Sequence, residues 1–202
     1  MANSIQEKLK DLQNQAKKFS FLPNNACNIL QRYIDNGKNT LDDIEKGIDF
    51  FSAIAFLNAP SKSPKTEHFI RKKLQHNPIK SFEGQGDGEK DGIFYEYKIS
   101  FTNKNEKINA LQIRLWQKID YYILGYIDEI NFNESRLYLV PHKDMESLCN
   151  QYGSATHGTK DANDSNKNVE MSFRIEMKTE NELLKLFENK YRAIELEQLI
   201  FY

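Results

Sequence analysis

Residues 93–101 alternate between two kinds of side chain, and this pattern constrains the fold more than any other feature. The odd positions are apolar or aromatic: Ile93, Tyr95, Tyr97, Ile99 and Phe101. A period of two with β-branched and aromatic residues predicts a strand whose odd face packs on a core. Glu96 and Lys98 share the opposite face, about 6–7 Å apart along the strand. The segment therefore predicts a β-sheet that carries an acidic and a basic side chain together.

Three glycines between positions 86 and 92 precede this strand and predict a turn. Residues 79–84 are a candidate partner strand, which places Asp87 in the turn region of a hairpin. Two interpretations of Asp87, Glu96 and Lys98 are open at this point. Either they are solvated surface charges with a weak ion pair, or two carboxylates bind Mg²⁺ while the lysine acts on a water or a phosphate.

Length and composition favour one globular domain over residues 1–202. The chain is long enough for one core and short for two. Charged residues make up 28% and hydrophobic residues 39%, which are ordinary values for a globular protein. The net charge of −1 gives no global basic signature for nucleic acid. This disfavours a passive DNA-coating protein, but it leaves room for an enzyme with a locally basic cleft.

Cysteines, histidines and apolar runs exclude several other classes. Cys27 and Cys149 fit neither a disulfide framework nor a zinc pattern, and the four histidines lack a ligand spacing such as H-E-x-x-H. Residues 1–19 contain no apolar segment typical of a signal peptide. No apolar run approaches the length of a membrane span. We therefore expect a cytoplasmic protein with no membrane partner.

Helical periodicity of apolar residues predicts three helices in an N-terminal region, residues 1–58. The sequence APSKSP then predicts a break, and Ser63–Pro64 predicts the start of a fourth helix. Thr179 and Glu182 form a capping-box pattern that predicts a helical C-terminal region, 179–202. Helices are thus expected on both sides of the strand cluster.

Further strands are predicted at residues 120–130, 136–141 and 169–177, with a short helix at 142–152. Residues 107–117 are ambiguous between helix and strand. A long polar segment, residues 153–168, has no periodicity and predicts a loop. Together these elements predict an α+β (α/β) domain with a central mixed β-sheet flanked by helices and a helical N-terminal region.

The pattern G-D-x₄-G-x₃-E-x-K, which includes Asp87, Glu96 and Lys98, resembles the signature of PD-(D/E)xK nucleases. Glu67, on the helix before it, stands where that family often has another acidic residue. The resemblance implies a restriction-endonuclease-like core over residues 63–178, in which Asp87 and Glu96 bind Mg²⁺. It also implies that Lys98 assists the attacking water and that Glu67 supports a metal or a bound water.

Two residues qualify this match. Gly86 stands where the family pattern has Pro, which is a common variant. Asp91 is a rival for the first acidic role, but it lies only five residues before Glu96 and leaves little room for a hairpin. Asp87 is therefore the preferred residue.

Residues 111–128 and 152–175 also resemble type II restriction endonucleases, which implies double-stranded DNA as substrate, a homodimer and a cognate DNA methyltransferase in the same system. Ser, Thr, Asn and Lys are residue types that contact phosphates and base edges. The candidate DNA-binding residues are Arg114, Lys118, Ser154, Thr156, His157, Thr159, Lys160, Asn163, Asn166, Lys167, Asn168 and Arg174.

Several alternatives stay open on sequence alone. Arg114 and Trp116 are also compatible with ordinary packing or surface roles. Gln117 and Tyr121 are candidates for orienting the site, although a core or surface role is favoured for both. A repair nuclease of the same fold, or a non-catalytic DNA-binding or regulatory subunit, would share the fold without being a restriction enzyme.

Overall fold

The computed structural model describes positions 7, 8, 10, 11, 14, 45, 47–50, 59–80, 84–102, 107–128, 134–156, 170–177, 179–196 and 199. Over these residues the fold is mixed α+β with a central mixed sheet, as the sequence predicts. Most of the N-terminal region, 1–58, lies outside the described residues. The positions described there are helical, and Ile48 and Phe50 are buried. No helix among the described residues is long and apolar enough to span a membrane.

The elements follow one another in this order. Helix α1 spans Ala59–Lys73, and the strands β1 (Asn77–Pro78), β2 (Gly88–Lys90), β3 (Ile93–Thr102), β4 (Lys107–Ile113), β5 (Tyr121–Asp128) and β6 (Arg136–Pro141) come next. Helix α2 (His142–Tyr152) leads to β7 (Ser154–Thr156) and β8 (Glu170–Glu176). Helix α3 (Glu182–Leu186), a π-helical segment (Phe187–Tyr191) and β9 (Arg192–Glu195) come last.

The central sheet contains six strands in the order β1-β2-β3-β5-β6-β9. Strands β3 and β5 run parallel, with Glu96 opposite Tyr122, and the other neighbours are antiparallel. Strands β4, β8 and β7 form a second, antiparallel sheet. The predicted ambiguity over residues 107–117 is thus resolved as a strand over Lys107–Ile113.

The hairpin before β3 differs from the predicted one. The partner of β3 is β2 and not residues 79–84, and the connection is the two-residue turn Asp91–Gly92. Both turn residues have positive φ, 54° and 79°, which is the conformation that an Asp-Gly pair favours in a tight hairpin. Asp87 therefore does not lie in the turn. It precedes β2, at the opposite end of the hairpin.

Both faces of β3 are covered, whereas the sequence predicts burial of only one. The odd face, with Tyr97 and Ile99, packs beneath α1. The even face joins a larger cluster built from the second sheet, α2 and the last helical turns. Glu96 on this face is only 5% exposed. The prediction of a one-sided strand is wrong because β4 crosses over the face that carries Glu96.

Helix α1 begins earlier than predicted, at Ala59 and not at Ser63, and Pro64 lies inside it. A proline there removes one helical hydrogen bond. Tertiary contacts offset this loss, because Ser63 Oγ donates to Ile99 O at 2.9 Å and Ile70 is fully buried. The local break signal is therefore overridden by packing against β3.

The C-terminal region is helical over residues 182–191 and interrupted by a strand at Arg192–Glu195, and residues 197, 198 and 200–202 of the predicted helix lie outside the described residues. Asn181, not Thr179, caps α3, since its side chain accepts a hydrogen bond from Leu184 N at 2.8 Å. Arg192–Glu195 then pairs with β6 as an edge strand of the central sheet. By contrast, the helix predicted at 142–152 and the strands predicted near β5, β6 and β8 are confirmed.

Candidate active site

The candidate site lies along the edge of β3. Strand β2 pairs with only the first part of β3, and side chains bond to the backbone beyond it. Asp87 Oδ2 accepts from Tyr97 N at 3.0 Å, and the Glu67 carboxyl accepts from the backbone N–H of Ile99. Because one of these acids precedes β2 and the other lies on α1, the strand edge draws two distant segments together.

Glu96 and Lys98 form the second part of the site. Lys98 Nζ lies 2.8 Å from Glu96 Oε1. The side chain of Glu96 is 6% exposed and that of Lys98 is 18% exposed. The Asp87 carboxyl is a close neighbour of the Glu96 carboxyl and adds to the increase in pKa that burial causes there. The interpretation as a solvated surface pair is therefore wrong, because Glu96 is buried, Lys98 is half-buried against it, and Asp87 lies beside Glu96.

The carboxyl groups of the site perturb one another. Burial, followed by the charge of Asp87, raises the pKa of Glu67 from its ordinary value of 4.5 to about 7, although Lys98 opposes this shift. Burial also raises the pKa of Glu96, again against the influence of Lys98, and Asp87 adds to the increase. Three carboxyl groups thus compete for one ammonium group.

The donor set suits a hard divalent cation. Three carboxylates and one ammonium leave a net charge of −2 when all are ionised. Among the described residues, no three His, Cys, Asp or Glu side chains are already arranged as a metal cage. Mg²⁺ commonly takes one or two protein carboxylates and completes its octahedron with water and phosphate oxygens. Asp87 and Glu96, whose carboxyls are close neighbours, fit that requirement.

Gln117 reaches the site from the turn after β4. Its side chain is 8% exposed, and its Nε2 donates to Glu96 Oε2 at a long 3.5 Å. Its Oε1 is buried and has no hydrogen-bond partner in the described part of the chain. The core or surface role favoured from sequence therefore misses this contact. Tyr121, in comparison, stacks on Tyr95 with ring centroids 5.8 Å apart.

Arg71 is a neighbour of the site that sequence reasoning did not single out. It lies one helical turn after Glu67 on α1, a spacing that puts both on one face of the helix. Its Nη1 donates to the backbone carbonyl of Asp87 at 3.1 Å, and its Nη2 lies 3.1 Å from His68 Nδ1. This contact holds the Asp87 peptide against α1. The four-residue spacing from Glu67 is the signal that could have identified it.

The described candidates for DNA binding lie in the second sheet and in the turn that follows β4. Arg114 Nε donates to the buried Glu170 Oε1 at 3.0 Å, and Lys118, Ser154 and Arg174 are exposed. Thr156 ends β7 and pairs with Glu170. The remaining candidates lie outside the described residues: His157, Thr159, Lys160, Asn163, Asn166, Lys167 and Asn168.

The predicted polar loop is therefore partly a strand. Residues 154–156 pair with β8, so the loop prediction for 153–168 is wrong for its first part. Through the Arg114–Glu170 ion pair, the described flanks of this segment border the turn that carries Gln117. The second sheet is thus linked to the carboxylate cluster by a short path.

Comparisons of the chain with protein-family models and with curated proteins give no match. The PD-(D/E)xK resemblance accordingly stays a prediction. Functional interpretation depends on the chemistry of the buried cluster formed by Asp87, Glu96, Lys98 and Glu67.

Proposed function

We propose that this protein is a Mg²⁺-dependent endonuclease of double-stranded DNA, and that it acts as a type II restriction enzyme at a short specific sequence. The observation that carries the proposal is the clustering of the half-buried Asp87 and Lys98 around the buried Glu96. Burying the Glu96 carboxylate beside another carboxylate costs free energy, and such strained charge clusters are concentrated at functional sites. The same three residues occupy the acidic and basic positions of the nuclease pattern.

In this proposal Asp87 and Glu96 hold Mg²⁺, which supplies Lewis-acid polarisation of the phosphate and a more acidic water. Lys98 Nζ, now paired with Glu96, donates a hydrogen bond to the attacking water or to a phosphate oxygen. The water oxygen would form a bond to phosphorus as the bond to the leaving oxygen breaks, while the water loses a proton to solvent and the leaving oxygen takes one from solvent. Glu67 would hold a water at the edge of the site.

A homodimer belongs to the proposal, because cutting both strands at one short site requires two such clusters, and a two-fold axis supplies them. A cytoplasmic location and a cognate DNA methyltransferase belong to it as well. A methyltransferase gene beside the coding sequence would favour restriction over DNA repair.

The test is incubation of the purified protein with plasmid and phage DNA in Mg²⁺, with EDTA as the metal-free control. Discrete fragments are expected, whereas a smear would indicate a nuclease without sequence specificity. The variant Lys98→Ala should bind DNA in Ca²⁺ and cut at least about 100-fold more slowly in Mg²⁺, the scale of losing one charge-stabilising donor.

Two further variants make this test decisive. Lys98→Gln can still donate a hydrogen bond to Glu96, so it separates loss of the ammonium charge from misfolding. Lys107, on β4, forms a partly exposed ion pair with Glu176 on β8. The Lys107→Ala variant lacks this pair and should cut DNA at the wild-type rate. Cutting by Lys98→Ala at the wild-type rate would show that the site is assigned wrongly.

A further inference from the structure

The turn after β4 presents a tryptophan to solvent beside the carboxylate cluster. Gln117 N donates to Arg114 O at 3.0 Å and closes a turn whose two central residues are Leu115 and Trp116. Leu115 packs against the core cluster, whereas Trp116 is 46% exposed. The next residue, Gln117, points inward to Glu96. Adjacent residues of one turn therefore face the solvent and the site.

The position of Trp116 is held from two sides. Lys118 N donates to Gly84 O at 3.1 Å, which joins the turn to the segment that leads into Asp87. The edge of the indole lies over Gly84, because a Cβ there would come within 3.8 Å of Trp116 Cζ3. The indole thus lies between the two segments that supply Gln117 and Asp87, with one part open to solvent.

The charges around this indole match a nucleic acid backbone. Arg114 and Lys118 flank Trp116 in sequence, and the exposed fraction of the Arg114 side chain is 37%. Aromatic side chains interleaved with cations are the usual platform for unpaired bases, since the cations take the phosphates and the ring takes the base. An isolated exposed apolar residue needs no function, but this one combines a fixed backbone, flanking cations and a neighbouring residue, Gln117, that contacts Glu96.

We propose that Trp116 stacks on a nucleobase that has left the duplex beside the phosphate to be cut. This inference rests on the proposed function, and it adds that the substrate is locally unstacked at the site. Extruding a base costs a few kcal/mol, and stacking on the indole offsets part of that cost. In the free protein the Arg114 guanidinium donates to the Glu170 carboxylate. Arg114 would leave this partner in order to bind a phosphate.

The experiment uses the full chain and its fluorescence, because Trp116 is the single tryptophan of the protein. Ca²⁺ replaces Mg²⁺ so that DNA stays intact. An oligothymidylate and an abasic oligonucleotide of equal length are titrated in parallel, with binding followed independently by anisotropy of a label on the DNA. Stacking predicts quenching of Trp116 by the oligothymidylate and none by the bound abasic strand.

Variants give a second readout. Trp116→Ala should weaken oligothymidylate binding about 5- to 150-fold and leave abasic binding unchanged, while Trp116→Phe should retain most of the affinity. Leu111→Ala is the matched control, because Leu111 is also an exposed apolar residue, at 48%. Thermal unfolding midpoints of all variants should stay close to wild type, since the replaced surface is half exposed.

The failures are distinguishable. Cleavage of plasmid in Mg²⁺ together with binding but no quenching would overturn the stacking role and leave the nuclease proposal standing. Equal quenching by both oligonucleotides would also overturn it, because the bases would not be the cause. A change of Trp116 emission with protein concentration alone would assign the turn to an interface between copies. Absence of both binding and cleavage would overturn both proposals.

Discussion

Removing the charge of Glu67 should stabilise the metal-free protein at alkaline pH and leave its stability in acid unchanged. The change is Glu67→Gln, which preserves the size of the side chain and its ability to accept from the backbone N–H of Ile99. Burial and the charge of Asp87 raise the pKa of Glu67 from 4.5 to about 7. The folded protein therefore binds more protons than the unfolded chain between these two values.

The magnitude follows from this window. The contribution of Glu67 to the free energy of unfolding is fully present below its unfolded pKa of 4.5. It falls as the pH rises and is lost above about pH 7. One pKa unit corresponds to about 1.4 kcal/mol, so the difference between 4.5 and about 7 sets an upper limit of about 3.5 kcal/mol on the loss, which the partial exposure of Glu67 reduces. Near pH 8 we expect Glu67→Gln to exceed the wild type by about 2–3 kcal/mol in free energy of unfolding, and near pH 4 to match it within about 0.5 kcal/mol.

The assay is urea unfolding in EDTA across this pH range, with the free energies of variant and wild type compared at each pH. Glu89→Gln is the control with the opposite sign. The pKa of Glu89 is lowered because its carboxylate accepts from Gly92 N at 2.7 Å and from Asn77 Nδ2 at 3.2 Å. That variant should therefore lose stability at alkaline pH. If Glu67→Gln were no more stable than wild type near pH 8, the argument from a buried, crowded carboxylate would be refuted.

Two other changes give expected outcomes. Gly86→Ala should lower the urea midpoint and slow Mg²⁺-dependent cleavage, because φ at Gly86 is +86° and the new Cβ would lie 2.6 Å from a backbone oxygen of β3, displacing Asp87. Gly92→Ala should cost less, since its φ of +79° is strained but a Cβ there meets nothing within 4 Å. In Ca²⁺, Asn163→Ala should reduce the binding free energy for the cognate duplex by about 1–3 kcal/mol. The effect on a scrambled duplex should differ, because a base contact depends on the DNA sequence. Lys160→Ala should weaken both duplexes equally and flatten the salt dependence, and wild-type binding by both of these variants would place recognition elsewhere.

Elements with strong local signals were predictable from sequence. The alternation over residues 93–101 predicts β3, and the helix at 142–152 has the predicted bounds. The Asp91–Gly92 hairpin was readable as well, because Asp-Gly is a strong signal for a two-residue turn. The choice of residues 79–84 as the partner strand of β3 led away from this turn, because the true partner is β2. These features depend on residues close together in the chain, so a short window contains their physical cause.

The candidate site was only partly predictable. The spacing of Glu96 and Lys98 places them on one face of a strand, as observed. Burial of Glu96 was not predictable, because it depends on β4 covering that face. The contacts of Gln117 with Glu96 and of Arg71 with Asp87 join residues on different elements. Pattern reading along one segment cannot supply such contacts.

The sequence by itself therefore determined the strand and the types of charge it carries, whereas tertiary structure decided what environment those charges occupy. Helical residues after Asn181 give way to β9 because β6 offers an unpaired edge, which overrides local helix propensity. The raised pKa of Glu67 likewise arises from burial and then from the charge of Asp87, both supplied by distant parts of the chain. Local periodicity sets the direction of a side chain, but desolvation and charge proximity, which govern its chemistry, exist only once the layers have packed.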